Sequence, residues 1–149
     1  MAAAFVVRSV DQADRKQWEQ LWEGYNAFYE RVVSPETTKV TWSRFFDDRE
    51  PVHALVAEQD GALVGLVHYL FHRSTSMIEL TCYLQDLFAA GSARRRGVGR
   101  ALIEAVYERA RAAGAPRVYW QTHETNQTAM RLYDQVAERS GFLVYRRAV

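Results

Sequence analysis

The sequence predicts an α/β fold in a single domain, residues 1–149, with a mixed sheet and about four helices. Three observations carry that expectation. The apolar period switches repeatedly along the chain between that of strands and that of helices. An Asp60-Gly61 pair separates two strand-like runs, as in a tight hairpin. A strand-like run at Tyr83–Phe88 passes through small and basic residues into a helical pattern that opens at Val98.

Ala4–Val10 reads as the first strand, and Asp11 behind it is a good helix N-cap. Trp18, Leu21, Trp22, Tyr25, Phe28 and Tyr29 recur at helical spacing, which predicts a helix from about Asp11 to Glu30. Its stripe is aromatic. The rings either pack the core or, at the Tyr25, Phe28 and Tyr29 end, line a substrate pocket. Ser34-Pro35 marks a stop and restart, because proline suits a first helical turn, and Thr37–Asp48 follows as a short helix. Val52–Glu58 and Leu63–His72 are the hairpin strands, Arg73–Ser76 a polar connection, and Met77–Phe88 the next strand. The helix with Val98, Ala101, Leu102, Ala105 and Val106 on one face stops at Gly114, with Pro116 just beyond. Arg117–Thr122 is then a strand parallel to its predecessor across an ordinary crossover. Asn126 opens a last helix to about Glu138, and Phe142–Val149 closes the chain as a strand.

Composition narrows the function. The formal net charge is +1, so nothing global favours nucleic-acid or membrane partners; the basic character is local, at Arg94–Arg100 and Arg146-Arg147. One cysteine, Cys82, allows no internal disulfide and too few thiols for a zinc cluster, so no metal is expected. The N-terminus lacks a charged leader region and Arg8 breaks its apolar stretch, so it reads as a strand and not a signal peptide. No run approaches membrane-spanning length, which leaves a cytoplasmic protein as the expectation.

The chemistry concentrates between Tyr83 and Arg100. A strand, a basic loop with Gly97 and Gly99, and a helix N-terminus together form an anion cradle. Unpaired N–H groups and the positive end of the helix dipole face the ligand, and glycine lets a phosphate approach the backbone. Arg94, Arg95, Arg96 and Arg100 surround it, and a pyrophosphate fits such a site. A Walker loop needs four residues between its glycines and then Lys-Ser/Thr; the run Gly97-Val98-Gly99-Arg100-Ala101 has neither. The dinucleotide fingerprint needs a third glycine where Leu102 stands.

What the run does match is Arg94-x-x-Gly97-x-Gly99, which resembles the acetyl-CoA pyrophosphate loop of the GCN5-related N-acetyltransferases (GNAT). The strand YLQDLF, the helix after the loop, the strand VYWQT and the helix NQTAMRLYDQV follow in that family's order. The resemblance implies the GNAT fold, with parallel strands splayed around acetyl-CoA, and transfer of the acetyl group to a primary amine by direct attack. The nearest subgroup is the microbial one acting on polyamines, amino acids and histones. The loop from Arg94 through Val98 to Arg100 would hold the pyrophosphate. Backbone atoms of Leu87 and Phe88 would hold the pantetheine arm and thioester carbonyl, Asn126 would touch the arm, and Tyr133 would protonate the departing thiolate. Asn126 also reads as a plain helix cap.

The group that deprotonates the amine is open among Asp86, Glu124, His123 and His68, or a water chain to Glu79 or Glu124. In polyamine enzymes of the family a glutamate commonly stands where this chain has Gln85, which cannot accept a proton. If Gln85 faces the pocket, alternation turns Asp86 to the other face of the strand, unless a bulge intervenes. Tyr25, Tyr29, Gln85, Asp86 and Glu124 are the candidate acceptor-binding residues. A small amine is the expected partner, with a protein or peptide lysine, or a non-catalytic acetyl-CoA sensor, as alternatives. The resemblance also implies a homodimer made through the C-terminal strand.

Overall fold

The computed structural model describes residues 4–94 and 96–149. A five-stranded sheet runs in the order β1-β2-β3-β4-β5, built from Val6–Ser9, Val52–Gln59, Ala62–His72, Thr81–Ala89 and Val118–Tyr119. The first three neighbours pair antiparallel, and β5 is parallel to β4. Four α-helices cover it: α1 (Arg15–Phe28), α2 (Pro35–Arg44), α3 (Val98–Ala112) and α4 (Gln127–Val136). No helix among the described residues is long and apolar enough to cross a membrane.

The sheet separates two cores because strand side chains alternate between faces. On one face Leu55, Val67 and Leu84 meet Leu102, Ile103 and Val106 of α3, with Leu132 and Tyr133 of α4 packed alongside. On the other, Val56 and Leu66 meet Trp18, Leu21, Trp22 and Tyr25 of α1 and Trp42 of α2. The helical spacing of the α1 aromatics is therefore a core stripe as far as Tyr25, while Phe28 and Tyr29 are 54% and 40% exposed.

Local chemistry explains the element ends. A capping box joins Asp11 and Asp14 ahead of α1, opening with a turn of 3-10 helix at Gln12–Asp14. Arg8 grips Asp14 through two hydrogen bonds of 2.8 and 3.0 Å, which holds that carboxyl below its usual range. Ser34 caps α2, with Pro35 at its first position. The β2–β3 turn places both Asp60 and Gly61 at positive φ, as a two-residue hairpin requires.

Several expected boundaries move. The second helix starts at Pro35 and ends at Arg44, because Phe45, Phe46 and Asp47 continue in tighter turns, their N–H groups bonding three residues back. The strand expected from Met77 begins at Thr81, the residue opposite His72 at the end of β3. The strand expected over Arg117–Thr122 is only Val118–Tyr119, since only Cys82 and Tyr83 of β4 pair with it. The closing strand expected at Phe142–Val149 is absent. Residues 141–149 lie outside any strand and are exposed, with Phe142, Leu143 and Tyr145 at 90%, 80% and 92%. A strand needs a neighbour for its backbone groups, and the described chain offers this segment none.

Candidate active site

The loop ahead of α3 has the geometry of an anion cradle. Gly97 occupies the N-cap with φ of 82°, a left-handed conformation that costs L-residues energy, and nothing lies within 4 Å of a β-carbon added there. The first intrahelical bond in this turn runs from Ala101 N–H to Gly97 O at 3.0 Å, so the N–H groups of Val98, Gly99 and Arg100 precede the ladder. The helix is set close to the sheet by Gly65 of β3. A β-carbon there would lie 2.8 Å from Val98 Cγ1 and 3.0 Å from Leu102 Cδ1. Arg96 and Arg100 are exposed around the turn, and Arg100 also bonds the Gln135 side chain of α4. Arg94 lies over the rings of Phe28 and Phe88, 5.9 and 5.7 Å from their centroids, which ties the loop to the opposite helix. Arg95 lies outside the described residues. These features fit a pyrophosphate held by main-chain N–H groups and screened by arginines.

Beyond Tyr83 the β5-side edge of β4 has no strand partner among the described residues. Leu87 and Phe88 lie on this stretch, pairing only toward β3, opposite Val67 and Leu66. Their backbone groups thus border a gap in the sheet. Their side chains serve the two cores, Leu87 toward α3 and Phe88 toward α1. Across the gap Tyr133 of α4 stands edge-on to Trp120 at 5.4 Å. Burial, with a smaller contribution from Tyr29, pushes its phenol up to about 12, so it is a proton-holding group at any physiological pH. Asn126 sits at the N-cap position of α4 but makes no capping bond; its Nδ2 reaches Thr122 Oγ1 at 3.4 Å. Asn126 thus holds the N-cap position that the sequence predicts, without a side-chain capping bond.

The other side of β4 holds a cleft of about 390 Å³ between the sheet and the α1–α2 segment. A bulge shapes it. Asp86 pairs with His68 and Leu84 with Tyr69, which leaves Gln85 as the extra residue. Strict alternation would have put Gln85 and Asp86 on opposite faces; with the bulge, both line this cleft. Asp86 and His68 are 5% and 3% exposed, and Asp86 Oδ2 lies 2.9 Å from His68 Nδ1. The Trp18 indole N–H donates to His68 Nε2 at 3.0 Å. An indole can only donate, so His68 Nε2 is an acceptor and Nδ1 carries the hydrogen that bonds Asp86. Both ring nitrogens of His68 are thus occupied, Nε2 by the indole and Nδ1 by the carboxylate. Near this carboxylate, burial and the charge of Asp86 push the Tyr25 phenol well above its ordinary value.

The remaining candidates fall elsewhere. Glu124 lines a separate groove along α4 with Gln127, Met130 and Asp134. His123 is exposed and bonds Thr125. Cys82 is fully buried and its thiol is pushed up to about 11, which unfits it as a nucleophile. Two charged residues of the cleft, Arg31 and Arg44, carry no signal in the sequence. Arg31 lies just beyond α1 and Arg44 ends α2; isolated arginines at such places read as solvated surface, and only the fold shows what they face.

The profile of the acetyltransferase (GNAT) family matches residues 18–137. The chain is 37% identical to the D-amino-acid N-acetyltransferase HPA3 of Saccharomyces cerevisiae, over 95% of this chain and 89% of the relative. It is 27% identical to the uncharacterized N-acetyltransferase YhfO of Bacillus subtilis, over 93% and 94%. Among solved structures, the aminoglycoside N-acetyltransferase AAC(6')-Iy, in complex with a bisubstrate analogue of CoA, superposes with a TM-score of 0.80. It shares 17% identity over 99% of both chains.

Proposed function

The chain belongs to the acetyltransferase (GNAT) family of acetyl-CoA-dependent enzymes, and from that premise we propose that it acetylates the primary amine of a small molecule, with Tyr133 as general acid. Polyamines, diamines and amino acids are the candidate acceptors; the yeast relative is named for D-amino acids. The observation that carries this reading is the placement of two unlike sites on either side of one interrupted strand. The α3 cradle and Tyr133 lie by the gap beside β4, and the Asp86 cleft opens on the α1–α2 side. A cleft of about 390 Å³ suits a small acceptor better than a lysine on a folded protein.

Acetyl-CoA supplies an activated thioester. The loop at Arg94–Arg100 would hold its pyrophosphate, the backbone of Leu87 and Phe88 and the side chain of Asn126 its pantetheine arm. Tyr133 would donate a proton toward the departing sulfur. Forming the free amine from an alkylammonium costs roughly 4–5 kcal/mol at neutral pH. Asp86, the carboxylate of the cleft lining, would orient the amine and receive its proton. The decisive variant is Tyr133→Phe: turnover should fall while acetyl-CoA affinity, measured by calorimetry, holds. An enzyme indifferent to that change has its acid elsewhere, and a chain with no turnover to lose is a sensor.

We also infer a homodimer made through the tail, supported by the exposure of Phe142, Leu143, Val144 and Tyr145. Sedimentation of the full chain should give two subunits, and Leu143→Glu should give one; a wild-type monomer removes the inference.

A further inference from the structure

We propose that the cleft beside β4 reads its acceptor as a zwitterion: Asp86 takes the ammonium and Arg31 the carboxylate, so that the substrate is an amino acid and not a bare amine. This deepens the acetyltransferase reading above and rests on it.

The argument begins with how Arg31 is held. Its guanidinium lies over the rings of Trp22 and Tyr25, 5.5 and 5.2 Å from their centroids. Nε and Nη2 both donate to Asn26 Oδ1, at 3.0 and 2.7 Å. Asn26 is itself 6% exposed, so the group that aims the guanidinium is rigid. That anchor is a neutral amide and does not itself neutralise the guanidinium. The carboxylate beside Arg31 is Asp86, with Nη2 to Oδ1 at 3.8 Å, beyond hydrogen-bond length. Asp86 in turn gives its other oxygen to His68, whose tautomer Trp18 fixes.

The result is a fixed anion and a fixed cation side by side at the wall of a cleft, each with bonding capacity left over. An α-amino acid carries the mirror of that pattern, since its ammonium and carboxylate are separated by one carbon. Set against the pair, its charges complete an alternating square. Guanidinium suits the carboxylate end because its planar fork can take both oxygens. Arg44 lines the same cleft, and its nearest acid, Glu50 at 4.0 Å, is not part of the lining. Among the described residues the lining sets two arginines, Arg31 and Arg44, against one carboxylate, Asp86. A diamine anchored at Asp86 would bring its second cation among two arginines. An amino acid brings an anion.

The test compares acceptors that differ only in the carboxylate. Alanine, phenylalanine and lysine would each be assayed beside the corresponding amide and decarboxylated amine, both enantiomers where chiral, by CoA release from acetyl-CoA. The wild-type chain should favour the carboxylate by at least about 10²-fold in kcat/KM. In Arg31→Gln that preference should collapse toward unity, chiefly through a higher KM for the amino acid. Equal use of acid, amide and amine by the wild type overturns the inference and leaves the acetyltransferase reading intact, as does a full carboxylate preference retained in Arg31→Gln. No CoA release with any acceptor overturns both. If Arg31→Gln no longer binds acetyl-CoA, the wild-type preference decides alone.

Discussion

The two faces of the sheet are built on different principles. Toward α3 the core is largely aliphatic, with Val98, Leu102, Ile103 and Val106 fully buried, and the groups proposed to meet acetyl-CoA are mostly main chain, set by Gly97 and Gly65. Toward α1 and α2 the core is a stack of rings, Trp18, Trp22, Tyr25 and Trp42, and it buries polar side chains, Asn26, His68 and Asp86. A backbone cradle tolerates changes of side chain as long as the chain can hold its conformation. A side-chain cradle can be rewritten by one substitution. Under the function proposed above, the first would meet the co-substrate and the second the acceptor.

Substitutions can break or sharpen that contrast. The largest effect should come from Trp18→Ala, which removes a fully buried ring and the partner of His68; a loss of about 3–5 kcal/mol is expected from denaturant unfolding. A loss under about 1 kcal/mol would mean that the ring stack does not hold this face. Asp86→Asn keeps the shape and should lower acceptor kcat/KM by at least about 10²-fold while sparing acetyl-CoA binding. Next comes Gly65→Ala. Its β-carbon meets Val98 and Leu102 at 2.8 and 3.0 Å, so about 1–3 kcal/mol of stability should be lost, with weaker acetyl-CoA binding as α3 is pushed outward. Gly97→Ala should cost about 1–2 kcal/mol of backbone strain and about tenfold in acetyl-CoA affinity by calorimetry. No clash contributes, since the space around Gly97 is open. The smallest effect is in the pH profile. Because the Tyr133 phenol is raised to about 12, it stays protonated through pH 10, and kcat should show no falling limb there. A fall near pH 10 that disappears in Tyr133→Phe would place that hydroxyl in water.

Local chemistry was legible in the sequence wherever a few neighbouring residues decide the conformation. Asp60-Gly61, Ser34-Pro35, Gly97 and Gly114 each stand where a turn or cap demands them. Long-range pairing was not. The contact of His68 with Trp18 joins residues 50 apart, and nothing near either residue announces it. Strand lengths failed for the same reason: Arg117–Thr122 has strand composition, but β4 bends at the Gln85 bulge soon after Tyr83, and the ladder stops at Tyr119. The tail at Phe142–Tyr145 has strand composition and no strand partner in the described chain.

The Gln85 bulge also says something about chain length. Inserting or removing one residue in a strand ordinarily turns every later side chain to the wrong face. Leu84 and Cys82 point toward α3, as do Leu87 and Ala89, while Phe88 points toward α1. Two residues therefore separate Leu84 from Leu87, and a deletion of Gln85 would still leave Asp86 opposite His68, facing α1. This strand can lose one residue at that point without losing its carboxylate. A deletion at Tyr83, two positions earlier, has no such slack. At this position the cleft wall can change length as well as composition, a freedom that point substitution does not offer.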